Sequence, residues 1–234
     1  NPNLQNVPAP HTEHGKAIRN LFCAPDGYSL VVADYSQIEP RVIASFSKDP
    51  IMLKSYLEGG DIYTTVADTV GVDRRTGKVL VLSMAYGAGP DKIAQQIGSS
   101  TDVARDLLNR FSEGFPSIDE YRVRVIGVAK NKRPTPYVST LLNRRRYLPD
   151  LTSNIPALRS SAERQAFNTR IQGSAADIIK IAMVRAHEEL PDRAKLLLTV
   201  HDELVALTPD ELAEESLAAI KHAMESVTAL DVPL

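Results

Sequence analysis

Cysteine occurs once in the 234 residues, at Cys23. An intrachain disulfide is therefore impossible, and so is a zinc site built from thiolates. No apolar run approaches the roughly 18 residues of a membrane span, and the N-terminus lacks a signal peptide, so an intracellular protein is the expectation. Net charge is −2, which by itself gives no hint of a nucleic-acid partner. Repeats and low-complexity tracts are absent too. The chain opens at Asn1-Pro2-Asn3 without an initiator methionine and stops at Val232-Pro233-Leu234, which reads as a fragment of something longer.

What is present is ordinary in bulk. With 24% charged and 43% apolar residues, the composition is that of a soluble globular protein, long enough for one large or two interleaved subdomains. The charge is unevenly spread. Arg122, Arg124, Lys130, Lys132, Arg133, Arg144, Arg145 and Arg146 form a basic stretch, whereas Asp202 to Glu225 is mostly acidic. Taken alone, such runs are solvated faces.

Residues 1–22 are polar and hold prolines at 2, 8 and 10, predicting an irregular approach segment. Ser29 to Ala33 is short, apolar and partly β-branched, and it runs into Asp34, as a buried strand ending in a functional carboxylate would. From Pro50 to about Arg133 the apolar period is helical, with Leu53, Tyr56, Leu57, Ile62, Val66 and Val70 setting it. Residues 134–153 read as extended chain or loops around the arginines. Helical spacing resumes from Arg159 to Glu189, with Ser174 and Asp177 spaced as a helix start inside it. Residues 195–200 and 204–207 are two apolar runs separated by His201, Asp202 and Glu203, a hairpin with three polar residues at its tip. Thr208-Pro209-Asp210-Glu211 then offers an N-cap, a proline at the first helical position and an acid for a last helix, whose Leu212, Leu217, Ile220, Met224 and Val227 would cover the sheet. The order is α+β, with a helical insertion separating strands of one sheet.

Three constellations stand out. Asp34 and Asp202 both lie at strand ends; if those strands are neighbours, two carboxylates converge, and carboxylates are natural magnesium ligands. The plain alternative is that each Asp makes a turn. Arg74, Lys78, Leu82 and Tyr86 recur four apart and form one stripe on a helix, cationic at one end and aromatic at the other. That stripe suits a triphosphate and a base, or else it is an amphipathic helix with a solvated end. Arg164, Asn168 and Gln172, again four apart, suit phosphates and minor-groove acceptors, or a polar solvent face.

These segments resemble the motifs of family A DNA polymerases. Asp34-Tyr35-Ser36-Gln37-Ile38-Glu39-Pro40-Arg41 is similar to motif A, D-Y-S-Q-I-E-L-R, with proline for leucine. Arg74 to Gly87 resembles motif B, R-x3-K-x7-Y-G, and Val200 to Leu204 resembles motif C. Ala162 to Asp177 is similar to A-E-R-x3-N-x3-Q-G-x-A-A-D. Asn3-Leu4-Gln5-Asn6 and Arg144-Arg145-Arg146 also fall where the family has them, and order and intervals agree along essentially the whole chain.

The resemblance implies a polymerase palm, an antiparallel sheet with packed helices, into which mainly helical fingers are inserted. Palm would occupy residues 1–48 and 172–234 and fingers residues 49–171, with the thumb absent. It implies a DNA-directed DNA polymerase acting in replication or repair with two Mg2+ ions, held by Asp34, Asp202 and the Tyr35 carbonyl. Arg74 and Lys78 would hold the triphosphate, and Lys78 would protonate the leaving group. Gln37, Glu39, Leu82 and Tyr86 would complete the nucleotide site, with Glu39 excluding a 2′-hydroxyl. Gly87, Arg164, Asn168, Gln172, His201 and Glu203 would contact primer–template DNA, with Glu203 as an outer acid of the metal site. A monomer in the cytoplasm of a bacterium or a phage-infected host follows. A single-subunit RNA polymerase or an inactive nucleic-acid-binding module are the rivals; Glu39 argues against the first and the retained Asp34, Asp202, Arg74 and Lys78 against the second.

The pattern is departed from at four places. Leu82 stands for an aromatic residue, as in some phage members, and Tyr63 for a histidine that helps hold the triphosphate. Pro40 removes a backbone donor, and Asn143 replaces a glycine. No Asp-x-Glu pair occurs, so the usual first motif of a proofreading exonuclease is missing from the segment. Without a thumb, weak and distributive extension is expected.

Overall fold

The computed structural model describes residues 7–8, 12–227 and 230–234. The Asn3-Leu4-Gln5-Asn6 match lies outside the described residues. In chain order the elements are α1 (Glu13–Arg19), β1 (Tyr28–Asp34), α2 (Ile38–Ser47), α3 (Pro50–Leu57), α4 (Ile62–Val70), α5 (Arg74–Tyr86), α6 (Pro90–Ile97), α7 (Thr101–Gly114), α8 (Pro116–Lys130), β2 (Tyr137–Ser139), β3 (Arg145–Tyr147), α9 (Pro156–Glu189), β4 (Lys195–Val200), β5 (Glu203–Pro209) and α10 (Ala213–Glu225). Short 3-10 turns lie at Pro149–Thr152 and Asp210–Leu212. The fold is α+β as expected, with a helical block between β1 and the β4–β5 hairpin. The described residues form two compact units, one drawn from Asn1–Ser36, Ile178–Thr228 and Leu234, the other from Gln37–Asp177 and Ala229–Pro233.

The first unit is built on an antiparallel sheet of order β1-β5-β4. Val31, Leu204 and Ala206 are buried in it, and α10 packs on β1 and β5. Ile220, Ala223 and Met224 recur at helical spacing and are buried, so one stripe of α10 faces inward. Leu217 does not belong to that stripe: it is 46% exposed, against the expectation from sequence. The helix also starts later than expected. Thr208 and Pro209 stay in β5, paired with Ser29 and Tyr28, and α10 begins at Ala213. The reason is competition for the capping groups. The Thr208 hydroxyl is buried against Ser216 Oγ at 2.8 Å, and Asp210 accepts from Ser29 Oγ at 2.6 Å. Near the N-terminus, the segment expected to be irregular contains α1, whose first turn is capped by Thr12 Oγ1 accepting from Gly15 N at 3.0 Å.

The second unit is mainly helical, and its helix starts are written locally. Asp49, Asp61, Asp73 and Ser100 each accept a backbone N–H of the helix that follows. Ile43, Met52, Ile62, Leu80, Ile93, Phe115 and Ile118 are fully buried, each worth about 1.5–3 kcal/mol relative to exposure. Pro40 is the third residue of α2, where a helix has an orphan N–H anyway, so the helix forms around it without losing an internal bond.

One expected helix start is overturned. Ser174 and Asp177 lie inside α9, which runs unbroken for 34 residues. Ser174 Oγ accepts from Leu141 N at 2.8 Å and donates to Arg170 O at 2.6 Å. Asp177 accepts from Leu142 N at 3.1 Å and pairs with Arg144. Both side chains do cap orphan amides, but those of the β2–β3 connection rather than of their own helix.

Candidate functional site

The carboxylates come from the sheet of the first unit. β1 and β5 are antiparallel neighbours in the register Asp34↔Glu203, so Asp34 ends its strand beside the hairpin turn. That turn is tighter than expected: Val200 pairs with Glu203, leaving only His201 and Asp202 at the tip and placing Glu203 in β5. His201 takes a left-handed φ of 57°, the strain that lets two residues close the hairpin. The Tyr35 N–H donates to Asp202 O at 3.3 Å, tying the two acidic segments through the backbone. The Tyr35 ring is buried, and its hydroxyl donates to Met224 O at 2.7 Å. Burial raises the pKa of that phenol, with Arg185 pulling the other way.

Asp34 is pushed up to about 6, by burial first and then by the charges of Asp202 and Glu203, with His201 opposing. Among the described residues no group of three or more His, Cys, Asp or Glu forms a ready metal cage. A crowded carboxylate pair is nonetheless the donor set that suits Mg2+, which takes one or two carboxylates and draws its other oxygens from water and phosphate. The residues fit the ion.

The cationic stripe lies in the second unit. On α5, Leu80, Val81, Ser83 and Ala85 are buried, while Arg74 and Lys78 are exposed, Leu82 is half-buried and Tyr86 is 43% exposed. Leu82 is therefore on the open stripe rather than in the core. Asp73 caps the helix by accepting from Arg75 N at 2.8 Å and Thr76 N at 3.1 Å. The Arg74 guanidinium carbon and Lys78 Nζ lie 5.5 and 5.6 Å from the Tyr63 ring centroid, within cation–π range. This closeness depends on Gly77, where an added Cβ would stand 2.5 Å from Tyr63 O.

Arg74 also pairs with Asp61, Nε to Oδ2 at 2.7 Å. The same carboxylate accepts from Gln37 Nε2 at 3.0 Å. Sequence reasoning missed Asp61. An acid ahead of Ile62 signals a helix cap, but nothing local announces a partner 13 residues downstream. Glu39 is half-buried in the first turn of α2.

The third group joins α5 to α9 within the same unit. Gly87 closes α5 at φ 66°, and an added Cβ would be 3.1 Å from Arg164 Cγ. Arg164 is exposed and donates to Ser160 Oγ at 2.8 Å, with Asn168 and Gln172 half-buried one and two turns on. Tyr86, Gly87, Lys92, Arg122, Glu163 and Arg164 are among the residues lining a cleft of about 960 Å³.

A family model described as DNA polymerase family A matches residues 1–234, so the chain belongs to that family. It is 42% identical over 243 residues to the thermostable DNA polymerase I of Thermus filiformis, covering all of this chain and 29% of that protein. It is 39% identical to DNA polymerase I of Deinococcus radiodurans, again over the full chain and 25% of that protein. The chain thus spans less than a third of these relatives. A solved structure, the POL domain of Pol1 from M. smegmatis in complex with DNA primer-template and dNTP, is similar with a TM-score of 0.91 and 38% identity. It covers the whole of this chain and 43% of that one. The architecture is that of a polymerase domain.

Proposed function

We propose that this chain is the catalytic part of a DNA-directed DNA polymerase, which transfers deoxynucleotides to a primer 3′-OH under the direction of a template. The observation that carries this is the register that sets Asp34 beside Asp202 and Glu203 in a member of family A. The primer-template and dNTP held by the M. smegmatis relative are the substrate classes proposed here. Palm then corresponds to residues 1–48 and 172–234, and fingers to 49–171.

In this reading a bond forms between the primer 3′-oxygen and the α-phosphorus, the bond from that phosphorus to pyrophosphate breaks, and the 3′-OH proton passes to solvent. Asp34, Asp202 and the Tyr35 carbonyl would hold two Mg2+ ions, which supply Lewis acidity to the attacking and leaving oxygens. Arg74 and Lys78 bind the triphosphate and offset the charge gathering on pyrophosphate, and Lys78 Nζ hands it a proton. Gln37 supports this nucleotide site, Glu39 crowds the sugar C2′ against ribonucleotides, and Leu82 offers an apolar contact to the base. Tyr86 and Gly87 lie under the templating position, and Arg164, Asn168, Gln172, His201 and Glu203 grip the primer–template. The protein acts as a monomer in the cytoplasm of a bacterium or phage-infected host.

Magnesium-dependent primer extension with deoxy- and ribonucleotides in parallel tests the proposal, in the longest natural form of the protein and in residues 1–234. Asp34→Asn and Asp202→Asn should each cut extension by about a thousandfold, roughly 4 kcal/mol, with primer–template affinity within a few-fold. Extension retained in either variant removes the carboxylates from the chemistry. A preference for ribonucleotides transfers the protein to the RNA polymerase class, and binding without extension leaves only an inactive module.

A further inference from the structure

Asp61 accepts five hydrogen bonds from three residues, Arg74, Thr64 and Gln37. Its Oδ2 accepts from Arg74 Nε at 2.7 Å, Thr64 N at 3.1 Å and Thr64 Oγ1 at 2.7 Å. Its Oδ1 accepts from Gln37 Nε2 at 3.0 Å and Arg74 Nη2 at 3.3 Å. Gln37 is itself held, its Oε1 accepting from Tyr56 OH at 3.2 Å. Burial acts to raise the Asp61 pKa, but the bonds from Arg74, Thr64 and Gln37 prevail and hold it well below the usual carboxylate range.

One carboxylate therefore caps α4, fixes a motif A side chain and takes the Nε–Nη2 edge of a motif B arginine. Nη1 makes no bond to Asp61, so that nitrogen and the outer edge of the fork remain as donors for phosphate oxygens. The Arg74 side chain is 60% exposed and the Asp61 side chain 31%, so the cation is steadied without being sealed off. An arginine with no such support would give up its rotamer freedom at the moment of binding, which weakens the grip on the ligand.

We infer that Asp61 is a positioning residue for the incoming nucleotide, presenting the Arg74 guanidinium to the triphosphate and linking it through Gln37 to the segment that carries the sugar-facing Glu39. This rests on the reading of Arg74 as a phosphate ligand. The cap on α4 and the bond to Gln37 hold Asp61 in place independently of Arg74, so the carboxylate is a fixed anchor beside which the guanidinium meets phosphate.

Equilibrium binding of dATP and steady-state extension test it. Asp61→Asn and Asp61→Ser keep an oxygen for the Thr64 N–H and remove the charge that orients Arg74. Both should weaken dATP binding, and raise its KM, about five- to tenfold with kcat changed less than about twofold, a loss near 1 kcal/mol. In an Arg74→Ala background the same substitutions should add less than a twofold effect, because the partner they act through is gone. Unchanged or tighter dATP binding in both Asp61 variants overturns the inference, as does an undiminished effect without Arg74. A loss that appears only together with a lowered melting temperature assigns Asp61 to helix capping alone and overturns it too. If Arg74→Ala itself leaves dATP binding unchanged, the phosphate role of Arg74 fails first; if Arg74→Ala weakens binding and the Asp61 variants do not, only the positioning role fails.

Discussion

Asp34 and Asp61 are both aspartates at the boundary of an element, and their surroundings push them in opposite directions. Asp61 meets an arginine and three further donor contacts, from Thr64 N, Thr64 Oγ1 and Gln37 Nε2; Asp34 meets burial and two other acids, and rises to about 6. The sign for Asp34 is unfavourable to folding. Its proton is held more tightly folded than unfolded, so the ionised form penalises the native state in full above about pH 6 and not at all below its ordinary value of 3.8. The side chain still reaches water, so screening leaves about 1 kcal/mol of that penalty. Asp34→Asn should therefore raise the melting temperature at pH 7.5, without divalent ions, by about 2–4 °C for a chain of this size. The gain should vanish below about pH 4. A melting temperature unchanged or lowered at pH 7.5 would show that the acids are not in conflict. The role proposed for Asp34 thus opposes stability, as functional carboxylates often do.

At the scale of elements, α4 and α5 meet at Gly77. In an exposed helix interior, glycine to alanine gains about 1 kcal/mol. Here the new Cβ would stand 2.5 Å from the Tyr63 carbonyl and 3.1 Å from Ala67, which are backbone and packed side chain rather than the tip of a flexible one. Pushing α4 away costs about 1–3 kcal/mol, so Gly77→Ala should lower the melting temperature and loosen the ring that Arg74 and Lys78 flank. A higher melting temperature would refute the close approach. Glycine at this position was not legible as a contact. Sequence showed the stripe at Arg74, Lys78, Leu82 and Tyr86 because its period is local, and showed β1 and the β4–β5 hairpin because their apolar runs are short and bounded. It did not show what distant groups do with local signals. Ser174 and Asp177 have the spacing of a cap and do cap, but amides 33 and 35 residues upstream. Thr208 has the chemistry of an N-cap and spends its hydroxyl on Ser216. Asp61 announces α4 and says nothing of Arg74. Local propensity places elements; partners far apart in the chain appear only once the fold closes.

For the molecule as a whole, a net charge of −2 conceals a division along the chain. Residues 121–170 hold eleven Lys and Arg against Asp150 and Glu163, whereas residues 201–234 hold Lys221 against eight Asp and Glu. Some of the cations are committed, Lys130 to Glu163, Arg122 to Asp119 and Arg144 to Asp177. Arg145 is exposed on β3 and stacks 4.9 Å from the Tyr137 ring centroid, which leaves its charge toward solvent. Affinity for a phosphate backbone depends on the cations that reach it, not on net charge, and each neutralised phosphate adds about −0.9 to the slope of log affinity against log salt. With about four phosphates neutralised, primer–template affinity should fall roughly a hundredfold between 50 and 200 mM salt despite the acidic total. Arg145→Ala should weaken binding to all sequences alike and reduce the slope by about 1. Arg193→Ala, which removes a cation paired with Glu211 in the other unit, should leave the slope unchanged. Equal slopes in the two variants would mean that the arginine run of 121–170 is a solvated face and not a phosphate-binding one, and a flat salt profile would remove backbone electrostatics from the proposed binding of primer–template altogether.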